Sequence, residues 1–439
     1  MVRVLTALTS FVFASYALAS SSLEVRTTQS AAPKDPFLVV IGNTCTVIPK
    51  GAGQDDAPTI LEAFSRCGKN ANIILNGYYV VGTLLKTIGL QNVNIQLSGT
   101  IQYTPNIAYW SPNSFFLTYQ NATTFWLLGG QNLHMFGGGT IDGNGQVWWD
   151  TFASNNNAGT AGGSSTTFAR PVPLTIFNST NVLVENIHQI GSPFWNNFVI
   201  GSSFVEYRNI NISSVSFSSA PAANSDGWDI YRSDHVTIRD STINNDDDCV
   251  SFKPNSTNML VSNLNCNGTH GISVGSLGQF AGETDIVQNV WVENVVMANA
   301  QNGARIKVFG GNPSPTSTAG GGTGFAKSSR HLHQFHAENV DNLILIDQCY
   351  MTAANVCAEF PSTLIISDVH YDHVFGTASK ASKGVVVSLT CSDVCQDITA
   401  IDTQLTAPSF PNVTYVCSNI ASMKQVCSFH KIFLLLLIG

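Results

Sequence analysis

From about residue 72 the chain alternates short apolar runs with breaks rich in Asn and Gly. Ile73-Ile74-Leu75, Tyr78 to Val81 and Val93 to Leu97 read as strands, because β-branched and aromatic residues cluster between turn formers. Ahead of them, Ile60, Leu61, Phe64 and Cys67 fall on one helical face, which predicts a short N-terminal helix over Thr59 to Cys67. Beyond residue 125 the apolar runs repeat. Val182-Leu183-Val184, Ile210-Asn211-Ile212, Val236-Thr237-Ile238, Leu260-Val261-Ser262 and Val290-Trp291-Val292 read as equivalent, with first residues 28, 26, 24 and 30 apart by subtraction. A drifting period of this size suits a coil of short strands in which each turn stacks on the last. Asn181, Asn209, Asn263 and Asn289 recur beside the runs, where Asn tolerates bends and forms ladders. The predicted fold is all-β: a parallel β-helix over 38–427 behind a short N-terminal helix. A β-sandwich is a rival, as is a propeller, which wants a regular repeat of about 40–45 residues.

Two stretches fit this pattern poorly. Phe325 to His336 lies where a strand is due but lacks alternation. Its His331, His333 and His336 are loosely spaced like metal ligands, yet no nearby cysteine or carboxylate completes a set, so no metal is expected. The apolar tail at 428–439 is too short to cross a bilayer and poor as a lipid-anchor signal. Both read as errors of gene modelling or translation.

Composition narrows the class. Charged residues are 11% of the chain, against about 25% in an ordinary globular protein, while 44% hydrophobic residues argue against disorder. A net charge of −8 argues against a nucleic-acid partner. An anionic substrate remains open if a few cations are focused at one site. The charged start, apolar run and Ala17-Leu18-Ala19 read as a signal peptide over 1–19, with a buried helix as the alternative. Residues 20–37 read as a flexible lead or pro-segment. The expected protein is secreted, extracellular, monomeric and free of the membrane. Secretion predicts disulfides. The ten cysteines fall as close neighbours: Cys45 and Cys67, Cys249 and Cys266, Cys349 and Cys357, Cys391 and Cys395, Cys417 and Cys427. Glycosylation sequons stand at Asn121, Asn178, Asn211, Asn255, Asn267 and Asn412.

The candidate chemistry lies between Asn224 and Lys307. Asp226, the Asp247-Asp248 pair and His270 are spaced so that successive coils place them on one face, with Arg305 and Lys307 one coil further on. Crowded carboxylates hold a proton near neutral pH. An acid beside an ionised base is what glycosidic cleavage needs. Taken singly, each cluster also reads as a solvated turn, the aspartates as a Ca2+ ligand set and Arg305-Ile306-Lys307 as surface charge.

Four clusters follow in order: Asn224-Ser225-Asp226, Asp247-Asp248-Cys249, Gly268-Thr269-His270-Gly271 and Arg305-Ile306-Lys307. Together they form a pattern that resembles the polygalacturonase family of glycoside hydrolases, family 28. The likeness covers roughly residues 40–427, and Trp228-Asp229 and Val250 to Asn255 look most like its fungal exo-acting branch. The resemblance implies a right-handed coil and hydrolysis of α-1,4-galacturonosidic bonds in pectin or polygalacturonate, with inversion and without cofactor or metal. It implies Asp247 as general acid, Asp226 and Asp248 as activators of water, and His270 as support for the acid. Arg305, Lys307, Tyr350 and Asn224 would hold substrate. Ser225 departs from the usual Thr and Asp246 from the usual Gly or Gln. The extra carboxylate is expected to raise the acid's pKa, or to disturb the turn if glycine was needed there for a positive φ. Exo action needs loops that close one end of the groove, and Asn155 to Thr167 and Pro313 to Gly324 are candidates. Alternatives are a xylogalacturonan hydrolase, a pectate or pectin lyase, and a non-catalytic carbohydrate binder.

Overall fold

The computed structural model describes residues 35–154, 168–327 and 332–420. The expected signal peptide, nearly all of the lead, the stretch 155–167, His331, Cys427 and the tail lie outside them. The described chain is a right-handed parallel β-helix. Its strands pair almost wholly in parallel with the coil before and the coil after. The helix Ala57–Arg66 precedes the regular coils, as predicted, and begins two residues early because Pro58 suits a first helical turn. It buries Ile60, Ala63 and Phe64, and the Phe64 ring meets Trp126 edge-on at 5.9 Å. Three further helices, Ile107–Asn113, Gln146–Ser154 and Ala354–Glu359, were not anticipated.

One long ladder runs through Thr180–Ile190, Ser203–Ser213, Asp234–Asn244, Ser256–Asn267 and Thr284–Ala298. Its true register is Val182, Val205, Val236, Met259 and Val290. The predicted alignment is therefore corrected at two places. Ile210 pairs with Ile187, and Leu260 points one position off the inward column. Each strand holds two inward apolar sets separated by a bend, and a search for Val/Ile triplets mixes them. The bends are left-handed at Asn186, Asn209, Asn263 and Asn294, a conformation that Asn tolerates better than most residues.

A second ladder of shorter strands carries or adjoins the candidate site residues: Asn197–Ile200, Trp228–Tyr231, Val250–Phe252, Ile272–Leu277, Asn302–Phe309 and Asn342–Tyr350. Most of these residues are buried, because loops cover the outer face as the core covers the inner one. The described part of Phe325 to His336 holds the strand that the repeat calls for. Leu332–Val340 is a strand paired with Thr284–Ala298 and with Ile365–Ala378, and it buries Phe335, Ala337 and Val340. Alternation is hidden in the sequence because the bend at Gln334 resets the pleat.

Four predicted disulfides are present: Cys45–Cys67, Cys249–Cys266, Cys349–Cys357 and Cys391–Cys395. Cys417 is disulfide-bonded as well.

Candidate active site

Register brings distant residues together. Asp226, Asp248 and His270 each stand two residues before Trp228, Val250 and Ile272, which pair with one another in successive coils. The three share a column. On the next outward column lie Asp229, Ser251, Ser273 and Arg305. Lys253 and Lys307 follow the aligned Phe252 and Ile306, with Gly275 between them. A Cβ at Gly275 would come within 2.4 Å of the Lys307 carbonyl oxygen, and its φ is +111°, so glycine alone fits there.

Of Asp226, Asp247 and Asp248, the last is the most enclosed, with 1% of its side chain exposed, against 4% for Asp226 and 16% for Asp247. Arg305 Nη2 donates to its Oδ1 at 2.7 Å, as does Ser273 Oγ, and Lys307 Nζ donates to its Oδ2 at 2.6 Å. Asp247 faces His270, with Oδ1 3.0 Å from Nδ1, and accepts a hydrogen bond from Asn224 Nδ2 at 3.2 Å. Arg170 holds Asn224 in turn through Nη2 to Oδ1 at 2.6 Å. Asp226 Oδ2 is 4.0 Å from Lys253 Nζ, and Lys253 pairs with Asp229 Oδ1 at 2.8 Å. Asp226 Oδ1 is buried and has no hydrogen-bond partner among the described residues, which suits an atom that meets water or substrate. One oxygen from each of Asp226, Asp247 and Asp248 lies within 4.8 Å of the others.

The protonation pattern follows from these contacts. Burial, then Asp229 and Asp247, push Asp226 well above the usual carboxylate range. Burial would raise Asp248, but Lys307 and Arg305 hold it well below that range. Burial likewise opposes ionisation of Asp247, yet His270 lowers its pKa, and burial opposes the rise that Asp247 gives His270. Asp226 thus favours its protonated form and Asp248 its ionised form, while Asp247 and His270 favour sharing one proton as an ion pair.

Asp226, Asp247, Asp248, Lys307, Tyr350 and Asn224 line one cleft. Arg305 lies behind it on Asp248, and His270 lies beside it on Asp247. Ser225 uses its hydroxyl to accept from the Asp246 backbone N–H at 3.0 Å. Asp246 has no positive φ, so its turn needs no glycine. Burial raises its own carboxyl, and the charge it feels most is that of His270, ahead of Asp247. Sequence reasoning missed Lys253, Asp229, Arg170 and Trp195, whose ring lies 5.1 Å under Lys253 Nζ. The alternation in Val250 to Asn255 places Lys253 outward and held the available signal; Arg170 had none. It missed Gln120 and Gln279 too. Both line the cleft, and Gln120 Nε2 donates to Gln279 Oε1 at 2.8 Å. Thr318 and Ala319 of the predicted Gly-rich loop line it beside them, with Gly320 N donating to Gln279 O at 2.7 Å.

Comparison with known proteins agrees with this geometry. Residues 78–428 match the model of glycosyl hydrolases family 28. The chain is 43% identical over 385 residues to a probable exopolygalacturonase X of Aspergillus fumigatus, covering 86% of each. It is 42% identical to an exopolygalacturonase of Cochliobolus carbonum, covering 86% of this chain and 83% of that one. Among solved structures, endo-xylogalacturonan hydrolase from Aspergillus tubingensis has a TM-score of 0.77 at 30% identity, covering 86% of this chain and 96% of that one. An exopolygalacturonase from Thermotoga maritima has a TM-score of 0.61 at 20% identity over 81% of this chain and 84% of that one, and shares the fold. The cleft, its coil and these likenesses agree: the chain belongs to family 28 of the glycosyl hydrolases.

Proposed function

We propose that this protein is a secreted, monomeric exo-polygalacturonase that releases galacturonic acid from the non-reducing end of homogalacturonan. The observation that carries the hydrolytic chemistry is the meeting of Asp226, Asp247 and Asp248 within 4.8 Å, beside His270 and three buried cations. The relatives' names support the exo reading. So does the Gln120–Gln279 bridge, which joins two loops across one side of the cleft.

In the proposed reaction Asp247, the most exposed of the three, protonates the glycosidic oxygen as the bond to C1 breaks. The proton it delivers is the one it shares with His270 across the 3.0 Å Oδ1–Nδ1 contact. Asp248 is ionised and takes the proton of the attacking water as oxygen bonds to C1. Asp226 binds the same water through Oδ1. Lys307 and Arg305 keep Asp248 ionised, and Lys307 and Lys253 present positive charge to a galacturonate carboxylate. The close approach of the carboxylates falls short of the roughly 6.5–9.5 Å usual for inverting pairs. Inversion therefore rests on the family resemblance, and proton NMR of the first product's anomer checks it.

A lyase would need Ca2+ or a basic side chain free to take the proton at C5. Here Arg305 and Lys307 already occupy both oxygens of Asp248. Xylogalacturonan hydrolysis is the second reading, favoured by the likeness to the Aspergillus tubingensis structure.

The test is a time course of products from polygalacturonate, beside Asp247→Asn and beside xylogalacturonan as substrate. We expect galacturonate monomer from the earliest times and a loss of about 10²–10⁴-fold in the variant. An early ladder of oligomers overturns the exo reading, and cleavage of xylogalacturonan alone overturns the substrate.

A further inference from the structure

The outer bends of the coil carry columns of side chains that hydrogen-bond from turn to turn. One column runs through Asn186, Asn209, Asp240, Asn263 and Asn294, aligned by strand register. Asn209 Nδ2 donates to Asn186 Oδ1, Asn263 Nδ2 to Asp240 Oδ1 at 2.8 Å, and Asn294 Nδ2 to Asn263 Oδ1 at 3.2 Å. The next three rungs are Gln334, His373 and Asp402, also left-handed. The amide ladder therefore gives way to ionisable side chains in the last coils.

Beside these rungs, strand register stacks His333 on Asp372. The Asp372 carboxylate lies between two imidazoles, with Oδ2 3.0 Å from His333 Nδ1 and Oδ1 2.6 Å from His373 Nδ1. Ligand atoms of all three residues lie within 4.8 Å of one another. Each side chain is half-buried to exposed, at 31%, 25% and 43%, so an ion has access from solvent. The carboxylate of Asp402 stands 3.7 Å from Nε2, on the other side of the His373 ring. A carboxylate behind the far nitrogen of a ligating histidine orients the ring and raises its basicity, a recurrent support in metal sites.

We propose that His333, Asp372 and His373 form a binding site for a divalent transition-metal cation of the zinc class, with Asp402 orienting His373. Two imidazoles and a carboxylate are a donor set that zinc accepts, with solvent completing the tetrahedron. Calcium and magnesium prefer oxygen donors throughout and fit it poorly. The sequence offered the histidines without a carboxylate. Asp372 supplies one from the following coil, 39 residues from His333. The ion would tie two neighbouring coils together, far in sequence from the catalytic aspartates.

The experiment uses full-length protein made without a polyhistidine tag and stripped with chelator. Zn2+ is added while binding is followed by calorimetry and Tm by thermal unfolding. We expect about one equivalent bound and a rise in Tm. His373→Gln and Asp372→Asn should each weaken binding tenfold or more and remove the rise, while His373→Gln keeps wild-type activity on polygalacturonate. No Zn2+-dependent rise in the wild type overturns the proposal. So does binding that both variants leave intact, or binding that Asp247→Asn abolishes, which would put the ion in the cleft.

Discussion

Lys253 is buried with Asp229 at 2.8 Å and Asp226 at 4.0 Å. Burial disfavours its charge, but the two carboxylates hold its pKa well above the ordinary lysine value. Burial pushes Asp229 up to about 7, against the pull of Lys253. Its unfolded pKa is about 3.9. Between those values the unfolded chain gives up a proton that the folded chain keeps, so stability falls as pH rises through this window. Without Lys253 that loss should deepen. Lys253→Met is expected to cost about 3–5 kcal/mol near neutral pH by leaving a buried carboxylate unpaired, and less at pH 4, where Asp229 is protonated. Lys253→Met with Asp229→Asn should recover most of it. Denaturant unfolding at the two pH values checks both. A loss independent of pH, or no recovery in the double variant, would reduce Lys253 to packing.

The cleft wall is an element-scale device. Gln120 and Gln279 are 159 residues apart in sequence, and Gln120 Nε2 donates to Gln279 Oε1 across the two loops. The Gly-rich loop adds backbone bonds, Gly320 N to Gln279 O and Ala281 N to Ser317 O. A single hydrogen bond contributes about 1 kcal/mol, so Gln120→Ala should raise the open population roughly fivefold without unfolding the coil. Short oligogalacturonides should then appear among the early products, by chromatography, while monomer release continues. Monomer alone would mean that the wall rests on other contacts. This element was only partly legible. Pro313 to Gly324 stood out by composition, but nothing in Gln120 foretells a partner in another coil. The strands were legible where a column repeats: Val236 and Val290 were placed correctly, whereas Ile210 was assigned to the wrong inward set because each strand holds two. The column of the candidate site was the clearest, since Asp226, Asp248 and His270 follow at 22-residue steps, one regular coil each.

At the scale of the whole molecule, the stacked coil decides which surface residues remain available to anything outside it. A sequon is read locally, but its asparagine is judged by the neighbouring turns. Asn267 Nδ2 donates to Asn244 Oδ1 at 3.0 Å, and Asn267 Oδ1 accepts from Asn299 Nδ2 at 2.9 Å. A glycan on that nitrogen would break the rung that joins three coils and would stand three residues from His270. Asn255 is half-buried as well, and its Oδ1 accepts from Ile286 N at 3.3 Å. Asn121, Asn178, Asn211 and Asn412 are exposed. Protein secreted from a eukaryotic host should therefore carry glycans at some or all of these four and none at Asn267. Peptide mapping before and after enzymatic deglycosylation checks this site by site. Asn267→Gln sharpens the test, because it should leave the glycan mass unchanged while lowering stability by about 1 kcal/mol through the lost rung. A fully occupied Asn267 would mean that modification precedes coil closure, and that the ladder in this column forms around the sugar or not at all.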